Sequence, residues 1–78
     1  MKNNYEPFYS SYTRVQYNDY KSDKLTTHSD IRKERTKALD EGVEEIVVID
    51  FVKQSNGGYE GKKEKYYYTG QRWKRILV

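Results

Sequence analysis

Residues 46–52, Ile46-Val47-Val48-Ile49-Asp50-Phe51-Val52, form the one concentrated apolar run of this 78-residue chain, and they constrain its fold more than any other stretch. At the two-residue period of a strand, Ile46, Val48 and Val52 fall on one side, and Val47, Ile49 and Phe51 on the other. A strand that is apolar on both sides belongs in the middle of a sheet, with material over each face. The sequence predicts this central strand over residues 43–52. Little else can support it. Ile, Leu, Val and Phe number only 15, and 35% of residues are charged. Such a composition lies near the limit at which chains fold unaided. The low net charge of +3 and the clustering of the apolar residues favour a small folded domain, and nine tyrosines add rings that bury while their hydroxyls stay wet. One domain over residues 1–78 is expected, with residues 1–7 flexible.

The elements around the central strand follow from local punctuation. Phe8 to Tyr17 can alternate, which predicts a strand near residues 11–17 with Ser11, Thr13, Val15 and Tyr17 on one face and Tyr12, Arg14 and Gln16 on the other. Residues 18–23 are polar turn material. A helix is expected over 28–41: Thr27 suits the N-cap, Asp30 the capping position three residues on, and Gly42 the C-terminal stop. Its apolar stripe is thin, consisting of Ile31, Ala38 and Leu39 with Arg35 near the centre, where its stem is expected to snorkel past Leu39 or, as the alternative, to form a buried pair that fixes the helix on the sheet. One such helix covers one sheet face. The other face is expected to be covered in a homodimer, or else by Phe8, Tyr9, Tyr12 and Tyr17 of the same chain.

After the central strand, Asn56-Gly57-Gly58 signals a turn. A tight hairpin there places Ile49 opposite Glu64, a poor match. A longer loop over 54–63 is therefore expected, bringing Tyr66 and Tyr68 beside Phe51 and Ile49. Thr69-Gly70-Gln71 forms a second turn. A last strand over 72–77 then carries Trp73, Arg75 and Leu77 on one face and Arg72, Lys74 and Ile76 on the other. The fold class is α+β, one helix packed on a small, mainly antiparallel sheet in the order β-α-β-β-β.

Charge is distributed unevenly. Residues 53–78 hold seven Lys/Arg against Glu60 and Glu64, a local net of +5 in a chain whose total is +3. The same stretch carries Tyr59, Tyr66, Tyr67, Tyr68 and Trp73. Cations that attract phosphate beside rings that stack on bases are the components of a nucleic-acid surface. The expected binding residues are Lys62, Lys63, Lys65, Tyr67, Arg72, Trp73, Lys74 and Arg75. The partner is DNA or RNA, or alternatively an acidic protein bound by a small phage-type or mobile-element inhibitor. Purely solubilising charge on an edge strand is the bland explanation.

Other chemistry finds little support. The chain has no cysteine and one histidine, His28, so no thiol nucleophile, thiolate site or histidine-rich metal site arises. The helix charges Arg32, Lys33, Arg35 and Lys37 are balanced by Asp30, Glu34, Asp40 and Glu41. Glu44 and Glu45 alternate across a strand and do not form a catalytic pair. Asn56 to Lys63 is no Walker loop, because no Lys-Ser/Thr opens a helix behind it. Metal-free RNA cleavage by His28 with Arg14 and Arg32 is the one enzymatic alternative. The expectation is a non-enzymatic accessory protein with no cofactor. No membrane segment and a cytoplasmic setting are likewise expected, from an N-terminus without an apolar targeting stretch. The composition resembles that of small accessory proteins of low-GC bacteria and their phages, while no family motif matches residue by residue.

Overall fold

The apolar run becomes the middle strand of a five-stranded antiparallel sheet. In the computed structural model, which describes residues 11–76, the elements are β1 Ser11–Tyr17, β2 Tyr20–Lys21, α1 His28–Asp40, β3 Glu45–Lys53, β4 Tyr59–Tyr68 and β5 Trp73–Arg75. The sheet order is β2-β1-β3-β4-β5, with every neighbouring pair antiparallel. The α+β class and the central position of β3 are as expected. The expectations for residues 1–7, Phe8, Tyr9 and Leu77 fall outside the described residues.

Each element has a local cause. Thr27 caps the helix with its hydroxyl accepting from the Asp30 amide, and Gly42 takes φ 79° directly after the C-cap Glu41, a conformation that favours glycine. β2 is an addition to the expected order. Asn18 adopts φ 50°, which asparagine tolerates, so a two-residue loop folds Tyr20 back against Tyr17. Beyond β2 the chain keeps to the edge of β1. Ser22 donates its amide to the Val15 carbonyl, and its hydroxyl accepts the Val15 amide at 2.8 Å. Leu25 then exchanges both backbone hydrogen bonds with Thr13.

The helix lies on the face formed by Val15 and Tyr17 of β1. With Ala38 and Leu25, these side chains pack on Ile46, and Ile31, Val43, Val48, Tyr66 and Trp73 join at the margin. Val15 and Ala38 are wholly buried. Burying an aliphatic side chain of this size contributes roughly 1.5–3 kcal/mol. Arg35 interrupts the helix stripe as predicted: it is half-buried, and its Nε is buried without a hydrogen-bond partner among the described residues.

The register of the β3–β4 hairpin differs from the expected one. Ile49 pairs with Lys63, Val48 with Glu64 and Ile46 with Tyr66, so Tyr66 and Tyr68 do not lie beside Phe51 and Ile49. The loop spans only residues 54–58. Asn56 Oδ1 accepts the Gly58 amide, Gly57 takes φ 91°, and Gln54 donates its amide to the Gly58 carbonyl. This turn chemistry prevails over the mismatch of an aliphatic residue opposite a charge, because Ile49 is covered by its own strand neighbours. Phe51 leans across Gly61, and Tyr12 stacks on Phe51 with ring centroids 4.8 Å apart. Ile49 is thereby left 5% exposed, while Val52 on the helix side of the strand is 53% exposed. Tyr12 covers the second face, and Tyr17, also expected there, packs under the helix instead.

Candidate nucleic-acid interface

Strand alternation sorts the charged side chains by face. From the pairing register, the face opposite the helix carries Arg14, Lys21, Lys53, Lys63, Lys65 and Lys74, against the single carboxylate Glu45. The strand residues on the helix side are Asp50, Glu60, Lys62, Glu64 and Arg75, a set with more acid than base. A chain whose total charge is only +3 thus presents one strongly basic sheet face. No described helix covers it.

Rings occupy the same face. Tyr12, Phe51 and Tyr59 form a cluster in which Tyr12 stacks on Phe51 and meets Tyr59 edge-on at 5.0 Å. Cations border it: the Arg14 guanidinium lies 5.6 Å from the Phe51 ring centre, and Lys24 Nζ stands 5.2 Å from that of Tyr12. Farther along, Tyr67 is 39% exposed and pairs across the strands with Glu45 on one side and Lys74 on the other. Lys65, two residues away, projects from the same face. Tyr67 is therefore an outward ring flanked by Lys65 and Lys74.

The eight residues singled out from the sequence do not form one surface. Lys63, Lys65, Tyr67 and Lys74 come together on the open face. Lys62, Trp73 and Arg75 belong to the helix side, and Arg72 sits in the turn before β5. Arg75 is engaged there: its Nη1 donates to Glu64 at 3.0 Å, and Glu64 also accepts the Tyr66 hydroxyl. The Tyr66 hydrogen bond first, and then Arg75, hold the Glu64 carboxyl below its usual range. Trp73 leans on Tyr68, with ring centroids 5.5 Å apart, at the margin of the core. Sequence reasoning left Arg14, Lys21 and Lys53 out of the surface. Their signal was the alternation itself, because each occupies the outward position of its strand once the register is known.

Of the residues considered for RNA cleavage, His28 and Arg32 lie one helix turn apart, and Arg14 lies elsewhere. His28 is exposed at the first position of the helix, whereas Arg14 projects from the opposite face of the sheet. Among the described residues no group of three His, Cys, Asp or Glu side chains is placed to hold a metal ion, and no helix is long and apolar enough to cross a membrane. No protein-family model matches the chain, and no curated protein or solved structure matches it.

Proposed function

We propose that the chain is a non-catalytic nucleic-acid-binding protein whose working surface is the open face of the sheet. The observation that carries this reading is the segregation of charge across the sheet, six cations and one carboxylate on the face that the helix leaves uncovered. Lys63, Lys65 and Lys74 contact phosphates, and Tyr67 offers its ring to a base. A sheet face that combines cations with an outward ring suits a single strand, whose bases are free to stack, better than a duplex, whose bases are already stacked. Contacts of this kind recognise backbone and ring rather than base identity, so little sequence preference is expected.

Direct titration with single-stranded DNA, duplex DNA and RNA at low salt tests the proposal. Saturable binding of a single strand, weakened by added salt, is the expected result. Affinity weaker than about 1 mM for all three falls below the usual non-specific range and overturns it. An acidic protein partner, of the kind a small inhibitory or accessory protein engages, then becomes the better reading of the same charges.

A further inference from the structure

A groove of about 360 Å³ lies between α1 and the turn that joins β4 to β5, away from the open sheet face. Its lining includes three arginines, Arg32 and Arg35 from the helix and Arg72 from the turn, and no acidic residue. None of the three forms an ion pair among the described residues, where the one such pair joins Arg75 to Glu64. Of the helix carboxylates, Glu34 accepts the Tyr20 hydroxyl and Glu41 the Tyr17 hydroxyl, while Asp40 lies with Arg32 on an adjoining groove without pairing to it. Arg35 also brings a buried Nε that has no acceptor among the described residues. Arginine cannot shed its proton at any ordinary pH, so titration does not relieve this clustering of like charge. A bound anion does.

The chemistry of the lining narrows the anion. Planar guanidinium groups match phosphate oxygens two at a time. Three of them suit the near-dianion of a phosphate monoester better than the single charge of an internal phosphodiester. Trp73 and Tyr68, tilted 57° to one another, line the same groove and supply a flat surface beside the cations. We propose that the groove binds a phosphate monoester carried by a nucleotide, with Arg32, Arg35 and Arg72 on the phosphate and Trp73 against the base. A free mononucleotide and the phosphorylated end of a strand share this chemistry. The proposal does not rest on the open sheet face binding nucleic acid.

Trp73 is the chain's one tryptophan, so its fluorescence reports on the groove directly. The full chain is titrated with AMP, with adenosine, and with short single-stranded DNA bearing either a 5′-phosphate or a 5′-hydroxyl. AMP is expected to change Trp73 emission saturably, adenosine to leave it unchanged at the same concentrations, and inorganic phosphate to compete with AMP. The double variant Arg32→Gln, Arg72→Gln, which alters two exposed side chains, is expected to weaken AMP binding at least tenfold with an unaltered circular dichroism spectrum. Tighter binding of the 5′-phosphorylated strand assigns the groove to strand ends; equal binding of the two strands, with AMP still bound, assigns it to free nucleotides. An equal response to adenosine and AMP, or a double variant that binds AMP as the parent does, overturns the proposal. So does loss of the AMP response in a Lys63→Gln, Lys65→Gln variant, which would place the ligand on the sheet.

Discussion

Phe51 lies across Gly61 from the neighbouring strand, so closely that a Cβ on Gly61 would stand 2.8 Å from Phe51 Cε1 and 3.3 Å from Ile49 Cγ2. Glycine is a poor strand residue on its own account, and here its missing side chain is the space the ring occupies. The Phe51 ring in turn supports Tyr12 and shields Ile49. The pair thus pins the β3–β4 register that places Lys63 and Lys65 on the open face.

Gly61→Val is accordingly expected to destabilise the fold by about 1–3 kcal/mol through overpacking against Phe51. The control is Gly58→Ala in the hairpin loop, where φ is not positive and an added Cβ meets only the Asn56 side chain, at 3.3 Å. It should cost clearly less. Urea denaturation of both variants checks the contrast, and equal costs would remove the register role of Phe51 and Gly61.

Ser22 is the one buried polar residue among the described residues, 4% exposed, and its hydroxyl is the acceptor for the Val15 amide. Ser22→Ala removes that acceptor and leaves a buried N–H unsatisfied, at a cost of about 1–3 kcal/mol. Hydrogen exchange at the Val15 amide gives the local reading, and faster exchange in the variant is expected.

The contrast between the helix and the edge strands shows what was legible in the sequence. The caps Thr27 and Gly42 act through bonds within a few residues, and the double-sided apolar run of β3 permits only a central place, so both could be read locally. β2 could not, because a two-residue strand leaves no periodicity, and Ser22 supplies a bond to β1 that composition does not reveal. The β4 register also depended on a contact between strands, Phe51 over Gly61, and with the register went the face of every lysine in β4. Basic character was therefore visible in the sequence, while its concentration on one side of the sheet was not.

Tyrosine ionisation offers a test of the helix docking. The Tyr20 hydroxyl donates to Glu34, and this bond first, with burial second, pushes its pKa up to about 12. Tyr17 is also raised, by burial and then by Glu41. Tyrosines in the unfolded chain ionise near pH ~10. The folded state holds the Tyr20 proton longer, so this contribution to stability is complete below about pH 10 and is lost as pH rises towards about 12. Tyr66 is raised as well, by burial and then by its bond to Glu64. Tyrosinate absorbance should therefore show several late groups, of which the one near pH 12 disappears in Tyr20→Phe, and the variant's thermal midpoint should fall less steeply over the same range. Loss of the tyrosinate signal near pH ~10 rather than towards about 12 in Tyr20→Phe would contradict the contact with Glu34.

The central claim is that the open sheet face, and not basic charge in general, binds nucleic acid. Single-stranded DNA affinity measured against salt concentration for two charge-matched variants tests it most directly. Lys65→Gln with Lys74→Gln removes the cations flanking Tyr67, while Lys33→Gln with Lys62→Gln removes two from the helix and the helix side of the sheet. The account predicts that the first variant loses affinity and that the slope of log K against log[salt] shrinks by about 1.4, at roughly 0.7 per phosphate contact on a single strand, while the second retains the parent's slope. Equal losses in the two variants would contradict it.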